Sequence, residues 1–562
     1  MVVAATTLGS AAASSAPAQV PRLQLTLAPT HAADGHADGL AVSYTYSPVP
    51  AGNTPLTLQL DTLEPGLERN TDQVTDLTVA DDKGPLPLGQ AARSEKGPRT
   101  FITWTATRPS NGPLHVAYRM PVARGKATKR GPQFDLQAAG GGVSGGFVSF
   151  LVLPASADGR IDAQVHWQLT PGDTAVTSYG ERDYAGTFTP NQLNDTLFLA
   201  GPVTVYRKPG QSKDDGLAIY GLGVAREKLE GAGGWAASAY AAEVKAFKLE
   251  GHRPYRFMVR SFTGGTMASG RAAEHSFMLY VPPGGEPGTD DLHYVVAHEM
   301  VHSLARYLEK EDVDGDWYTE GLANYLGITI PGAAGLYTPE RYAALVSAES
   351  AAYYTNARRG LVNSEMAKAA WIGRNAWLLP YNRGAMYFAD LDAKLKARGS
   401  EVTVLDLANE MSARIDAGAP SDRTTWLAIL RKHTGGWAID DWNAMMAGKT
   451  IFPAEGAFGS CMHAQKADVR IFDLGFAAPV RLSAGATIGG VVPGGRAAQA
   501  GLRDGDVLES GVDINPVVGS VDEPVELHVR RDGKPLTIRY DPSGGTWPGL
   551  TWTSSCLAAA RH

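Results

Sequence analysis

The sequence is poor in cysteine, in charge clusters and in long apolar runs. Two cysteines in 562 residues exclude a fold that rests on a dense disulfide framework. An uninterrupted apolar run of about 18 residues, the usual minimum for a membrane-spanning helix, is absent, so we expect no membrane span. The formal net charge of −7 and the lack of a lysine or arginine cluster argue against nucleic acid or an anionic membrane as the main partner.

The two cysteines, Cys461 and Cys556, lie near the two ends of the last part of the chain. They are either unrelated thiols or a bridge that closes one small terminal domain, and the sequence leaves both interpretations open. A bridge across a loop of this size would stabilise the folded state by about 4–5 kcal/mol through loop entropy and would require an oxidising compartment. We therefore expect a periplasmic or secreted protein, with a cytoplasmic one as the alternative.

The chain is long enough for about two to four domains, and three textures divide it. Short runs with alternating apolar and polar positions come first, which predicts a mostly antiparallel β domain. A small sheet and long helical periodicities follow, an arrangement that suits a cleft enzyme, and the last part returns to short strands. The expected multidomain α+β organisation is a disordered tail or signal remnant at 1–21, an N-terminal β domain at 22–205, a catalytic α/β domain with a helical subdomain at 206–455 and a small domain at 456–562.

The stretch "VVAHEMVHSL", residues 295–304, contains the pattern H-E-x-x-H within a predicted helix. His298 and His302 are one helical turn apart, so both imidazoles project from the same face within reach of one metal ion. Glu299 is turned about 100° around the helix axis, and it can hold a water rather than bind the metal. The pattern therefore predicts a zinc site with Glu299 as the water-activating residue.

A catalytic zinc ion needs a third protein ligand and one open position. The best candidate is Glu320 in "WYTEGLANYLG", which predicts a second helix after a polar turn. We expect one Zn²⁺ per chain, held by His298, His302 and Glu320. The alternative is an amphipathic helix with surface histidines. His293 lies off the metal face of the predicted helix, and we expect it to be solvated or structural.

Two segments resemble the aminopeptidase N-like gluzincin metallopeptidases. "WYTEGLANY" is similar to the W-x-x-E-G-x-A-x-Y segment that supplies their third zinc ligand, here Glu320. "LLPYNRGAMYFADLDAKL" resembles their Y-x-K/R-G helix, with Arg383 and Gly384 completing the match. The resemblance implies that Tyr381 hydrogen-bonds the tetrahedral oxyanion; taken alone, a tyrosine at the start of a helix would be assigned to packing.

The same clan carries a G-x-M-E-N or G-G-x-E-H segment whose glutamate binds the free α-amine of the substrate. This chain has "FTGGTMASGRAAEHSFMLYV", with Gly264 and Gly265 separated from Glu274 by eight residues. Either the segment carries an insertion or "GRAAEH", Gly270 to His275, is a variant of it. The resemblance implies substrate binding by Gly264, Gly265 and Glu274. A solvated glutamate at a strand end is the alternative for Glu274.

Near the C-terminus, the pattern from Ala497 to Leu508 in "IGGVVPGGRAAQAGLRDGDVLES" is similar to bacterial PDZ domains. "FDLGFA", Phe472 to Ala477, resembles the loop whose backbone N–H groups hold a peptide carboxylate. The resemblance implies a C-terminal PDZ domain at 456–562 to which a peptide C-terminus would add as a strand. A generic β module is the alternative.

Together the modules resemble the bacterial glycyl aminopeptidase family, PDZ-containing gluzincins with a thermolysin-like catalytic domain. The resemblance implies a zinc-dependent aminopeptidase that removes a small first residue, glycine or alanine, from peptides. Glu299 would be the general base and Tyr381 the oxyanion donor. Two alternatives stay open: a zinc metalloendopeptidase with the same machinery in an open cleft, and a catalytically vestigial peptide-binding protein.

Overall fold

The structure is a computed structural model, and it describes most of the chain. The described residues are 20–49, 55–61, 74–96, 99–122, 135–157, 159–212, 216–249, 254–261, 269–282, 284–308, 315–369, 374–477, 482, 484–512 and 523–555. Gly264, Gly265 and Cys556 lie outside these residues. Among the described helices, none combines the length and the apolar character needed to cross a bilayer.

The first domain is built from β-strands. In β1 (Arg22–His31), buried Leu23, Leu25 and Leu27 alternate with more exposed polar neighbours, so one face enters the core. Its other elements are β2 (Ala37–Ser47), β3 (Thr57–Asp61), β4 (Thr75–Asp81), β5 (Gly84–Pro85), β6 (Ala92–Lys96), β7 (Arg99–Thr105), β8 (Leu114–Pro121), β9 (Gln137–Ala139), β10 (Gly142–Gly146), β11 (Val152–Pro154), β12 (Ile161–Trp167), β13 (Thr174–Thr177), β14 (Tyr184–Phe188), α1 (Pro190–Asn194) and β15 (Leu197–Gly201).

Three sheets enclose the core of this domain. A seven-stranded sheet has the order β14-β12-β1-β2-β8-β4-β5, and two four-stranded sheets have the orders β13-β15-β10-β9 and β11-β3-β7-β6. All their pairings are antiparallel except that of β1 with β12, which is parallel. Most apolar positions of these strands form one buried cluster, while Val176 of β13 and Leu197 and Leu199 of β15 belong to a second cluster shared with the next sheet.

A five-stranded mixed sheet begins the second domain. Its order is β16-β17-β18-β20-β19, from β16 (Thr204–Tyr206), β17 (Leu217–Leu222), β18 (Tyr255–Ser261), β19 (Ser269–Ala273) and β20 (Ser276–Val281). The three central strands are parallel, and helix α2 (Arg226–Ala246) crosses between the first two of them. Both faces are buried, one against helices and the other against the N-terminal domain. This explains why β17 and β20 are apolar throughout.

The helical subdomain carries the largest core of the protein, which includes the fully buried Trp317 and Trp426. Its helices are α3 (Asp290–Leu304), α4 (Asp316–Ala333), α5 (Pro339–Tyr354), α6 (Asn363–Ala369), α7 (Arg374–Ala397), α8 (Val404–Asp416), α9 (Arg423–Thr434) and α10 (Trp437–Met446). Two details differ from the sequence expectation. The sequence predicts one helix over residues 291–310, whereas helix α3 ends at Leu304 because Ala305 is extended, with φ −89° and ψ 154°. Tyr381 lies inside α7, directly after Pro380, rather than at the start of a helix.

Helices α4 and α7 cross in backbone contact at two glycines. A Cβ on Gly384 would lie 2.0 Å from the carbonyl oxygen of Trp317, and a Cβ on Gly321 would lie 2.4 Å from the Cα of Gly384. Gly327, further along α4, allows a similar approach to α3, because its Cβ would lie 3.1 Å from the backbone nitrogen of His298. Three glycines therefore set how closely α4 approaches its two neighbours.

The C-terminal part has two pieces. A long antiparallel ribbon of β21 (Met462–Phe472) and β25 (Ser543–Ser554) packs on α5, and its Met462, Leu550 and Trp552 join the core of the helical subdomain. A smaller body contains α11 (Arg496–Gln499), β22 (Val507–Leu508), β23 (Val525–Arg531) and β24 (Lys534–Tyr540), with a core of its own. Cys461, just before the ribbon, is disulfide-bonded.

The close crossing of α4 and α7 can be tested with G384A. We expect this substitution to destabilise the protein by about 1–3 kcal/mol, because the added methyl group overlaps backbone atoms of α4 that cannot rotate away. Thermal unfolding of the purified chain is the measurement.

The matched control is G234A in the exposed face of α2, where a Cβ would meet nothing within 4 Å. Alanine there should stabilise the helix by about 0.5–1 kcal/mol. Equal midpoints for the two variants would contradict the crossing.

Candidate metal centre and active site

Three side chains from two helices converge on one point. Helix α3 supplies His298 and His302, and α4 supplies Glu320. The Nε2 atoms of the two histidines are 2.9 Å apart, and the Oε2 of Glu320 lies 3.3 Å from that of His298 and 3.1 Å from that of His302. The structure therefore brings together the three residues that the sequence predicted as metal ligands.

This donor set fits a single zinc ion. Nitrogen and oxygen ligands about 2.0–2.2 Å from a tetrahedral zinc lie about 3.3–3.5 Å from one another, close to the spacings of these three atoms. Two imidazole nitrogens and one carboxylate oxygen are the ligands of a catalytic zinc site that keeps its fourth position open. Among the described residues, this is the one group of histidine, cysteine and acidic side chains arranged to hold a metal.

The electrostatics of the group favour a cation. Burial alone would raise the pKa of Glu320, but the charge of His302 and hydrogen bonds from both imidazoles hold it well below its ordinary value. Burial would lower the pKa of His298, but its hydrogen bond and charge interaction with Glu320 raise it instead. The carboxylate thus stays ionised and draws positive charge to the point where the ligands meet.

Glu299 lies beside the metal ligands and is not one of them. Its side chain is largely buried on α3, and it packs against Gly270 of the edge strand β19. A Cβ on Gly270 would lie 2.7 Å from the Cγ of Glu299 and 2.8 Å from its Oε1, so glycine leaves the room that this carboxylate occupies. The edge strand therefore passes directly along the Glu299 carboxylate.

Tyr381 approaches the same centre from α7. Its ring lies 6.1 Å from the ring of His298, at an interplanar angle of 9°, and 5.6 Å from the ring of Trp377. Burial, followed by the charge of Glu320, raises the pKa of Tyr381 well above its ordinary value. The phenol therefore remains protonated and able to donate a hydrogen bond.

Glu274 lies apart from this group, in the hairpin turn between β19 and β20. Its Oε2 accepts hydrogen bonds from the Tyr179 hydroxyl at 3.3 Å and the Gln192 amide at 3.2 Å, both in the N-terminal domain. It is four positions beyond Gly270, which corresponds to about 13 Å along an extended strand. Its predicted role in binding the α-amine stays a prediction.

Two further residues singled out from the sequence have structural partners. His293 stacks on Trp235 with ring centroids 4.1 Å apart and an interplanar angle of 2°, away from the metal ligands. The fully buried Arg383 donates to the carbonyl oxygens of Arg359 at 2.9 Å and Leu361 at 2.5 Å. It ties α7 to the segment that follows α5.

Sequence reasoning missed a buried polar cluster behind the metal ligands, formed by Asn324, Glu349 and Asn382. Asn324 and Asn382 lie inside the motifs around Glu320 and Tyr381, so their places in the sequence could have identified them as residues near the site. Glu349 lies in an alanine-rich stretch with no motif around it, and only the packing of α5 against α4 and α7 brings it to the site.

No family model matches the chain, and no curated protein matches it either. Among solved structures, it is similar to the aminopeptidase N family protein from Idiomarina loihiensis, with a TM-score of 0.66 and 16% identity over 95% of this chain and 98% of that chain. This similarity shows that the two share a multidomain α+β fold.

Two further solved structures match less closely. The M1 zinc metallopeptidase from Deinococcus radiodurans has a TM-score of 0.45 and 14% identity, covering 77% of this chain and 95% of that chain. Native yeast LTA4 hydrolase has a TM-score of 0.47 and 12% identity, covering 78% of this chain and 69% of that chain.

The metal centre can be tested by substitution on α3. We expect H302A to lose its zinc on dialysis, because two protein ligands remain where a catalytic site needs three. H293A should retain zinc, because His293 is on the same helix but stacks on Trp235. Metal content by mass spectrometry is the measurement, and a zinc-retaining H302A would contradict the ligand assignment.

Proposed function

We propose that the protein is a zinc-dependent metallopeptidase that acts as an aminopeptidase. The observation that carries the proposal is the convergence of His298, His302 and Glu320 on one point, with Glu299 and Tyr381 at its sides. The fold shared with an aminopeptidase N family protein supports the same conclusion. His298, His302 and Glu320 would hold the ion.

A bound zinc ion supplies Lewis acidity, which polarises the scissile carbonyl and makes a nearby water more acidic. Glu299 accepts a proton from the attacking water and later delivers it to the leaving amine. Its position beside the ligands, against Gly270, suits this role because the carboxylate is held near the reacting atoms. An extended peptide along the edge strand β19 would place its carbonyl next to Glu299.

Tyr381 stabilises the oxyanion that forms when the carbonyl is attacked. Its pKa is raised by burial and by Glu320, so the hydroxyl keeps the proton that it must donate. Preorganised donors of this kind are effective because they need no rearrangement as charge develops.

The choice between an aminopeptidase and an endopeptidase depends on how the substrate amine is bound. An aminopeptidase needs an acceptor for the free α-amine, and Glu274 is the candidate inherited from the family resemblance. Its hydrogen bonds with Tyr179 and Gln192 favour the alternative, a metalloendopeptidase with an open cleft. A preference for glycine or alanine as the first residue is part of the aminopeptidase proposal and rests on the resemblance alone.

The C-terminal module and the compartment are further proposals. The pattern from Ala497 to Leu508 supports a PDZ domain that receives a peptide C-terminus. The disulfide on Cys461 supports a periplasmic or secreted location, since such bonds persist in oxidising compartments. A catalytically vestigial binding protein is disfavoured, because Glu299 and Tyr381 are both in place beside the ligands.

Substitution of the proton-transfer residue tests the chemistry. E299Q should retain zinc and lose about 100- to 10,000-fold in kcat, because the amide cannot accept the proton of the water. Y381F should also retain zinc and lose about 100- to 1,000-fold. Peptide hydrolysis and metal content are measured together; full activity in E299Q would contradict the mechanism.

Paired substrates test the amine requirement. Glycine and alanine anilides with a free amine should be hydrolysed, whereas N-acetylated, internally quenched peptides should not. E274A should lower kcat/KM for the free-amine substrates if Glu274 binds the amine, while E286A, which removes an exposed glutamate of the same domain, should not. Hydrolysis of the blocked peptides alone would establish the endopeptidase instead.

A further inference from the structure

A buried carboxylate lies at the junction of α4, α5 and α7. Glu349 of α5 accepts hydrogen bonds from the Nδ2 of Asn324 at 3.0 Å and 3.1 Å, one to each oxygen, and from the Nδ2 of Asn382 at 2.8 Å. The three residues are only 5–7% exposed. Both carboxylate oxygens are therefore satisfied by amides from the two helices that carry Glu320 and Tyr381.

The two asparagines connect this carboxylate to the candidate active site. Asn324 follows Glu320 by one helical turn on α4, and Asn382 is adjacent to Tyr381 on α7. The Nδ1 of His298 is buried and makes no hydrogen bond of good geometry among the described residues. Asn324 lies on the face of α4 that meets His298, between Glu320, whose Oε2 is 3.3 Å from the Nε2 of His298, and Gly327, whose Cβ would lie 3.1 Å from the His298 backbone nitrogen.

The orientation of the Asn324 amide follows from its partner. Because the NH₂ group is turned towards a carboxylate, the carbonyl oxygen Oδ1 is the end left for His298. An oxygen beside Nδ1 selects the tautomer with its proton on Nδ1, which leaves the lone pair of Nε2 for a metal.

The free-energy cost of burying the Glu349 carboxylate indicates that this side chain does more than fill space between the helices. Burying a carboxylate is unfavourable unless it is fully hydrogen-bonded, and burial raises the pKa of Glu349 despite both asparagines. An apolar side chain at this junction of three helices would pack without that cost. Polar groups beyond the ligands of a metal site commonly orient those ligands.

We propose that Glu349 is a positioning residue of the metal centre. The role rests on the proposed function: Glu349 orients the Asn324 amide so that its Oδ1 faces the Nδ1–H of His298. Through Asn382 it also holds α7 beside α4, which keeps Tyr381 next to Glu320. Glu349 itself touches neither metal nor substrate.

An exchange of acid and amide tests the proposal. E349Q should weaken zinc affinity by about 10- to 100-fold, because the new NH₂ group faces that of Asn324 and favours the flipped amide. N324D should also weaken it, because two carboxylates then meet. The chain carrying both N324D and E349Q should recover most of the affinity, because the acid and the amide have exchanged places.

Three measurements are made on the full chain: the zinc dissociation constant by competition with a chromophoric chelator, kcat and KM separately, and the unfolding midpoint of the zinc-free protein. The matched control is E243Q, at another fully buried glutamate of the same domain. E349Q should lower kcat with little change in KM, and E243Q should change neither zinc affinity nor kcat.

Wild-type zinc affinity and kcat in E349Q would overturn the proposal, as would a double variant no better than the worse single one. The proposal would also be overturned if E349Q lowered the unfolding midpoint but left zinc affinity and kcat unchanged, because Glu349 would then have a purely structural role. If the wild-type chain binds no zinc, or if E299Q hydrolyses peptides normally, the proposed function fails instead.

Discussion

Helices α4 and α7 meet through backbone atoms at Gly321 and Gly384, and the geometry of the candidate site follows from that contact. Glu320 precedes the first glycine by one residue, and Tyr381 precedes the second by one helical turn. A side chain on either glycine would overlap the opposite backbone. The glycines of the E-G and Y-x-R-G patterns thus set the distance between Glu320 and Tyr381, which come from different helices.

The sheet of the second domain fixes the position of its edge strand beside the candidate site. Because both its faces are buried, the N-terminal domain covers one side while α2 and α3 cover the other. The edge strand β19 therefore has a defined position relative to α3, and Gly270 meets Glu299 there. The turn after β19 places Glu274 against Tyr179 and Gln192, so the N-terminal domain also contacts the hairpin that carries Gly270.

Helical periodicity was enough to predict that His298 and His302 project from one face of α3. His298 and His302 are one turn apart on any helix, and Glu320 and Tyr381 stand in motifs whose order along the chain is informative. The alternating leucines in the N-terminal part of the chain likewise indicated β-strands. The position of Glu274 depends on a hairpin register, and Glu349 meets Asn324 only through helix packing, so neither followed from local sequence. Gly264 and Gly265 lie outside the described residues.

The ribbon of β21 and β25 limits how the C-terminal segment can be exchanged. Met462, Leu550 and Trp552 belong to the core of the helical subdomain, and the Trp547 indole donates to the carbonyl oxygen of Tyr354 at 2.5 Å while its ring lies under Arg359. The ribbon is thus a structural part of the helical subdomain. Recombination that exchanged the whole C-terminal segment would have to replace the matching face of α5 as well, whereas the smaller body carried between the two strands, with its separate core, can change more independently.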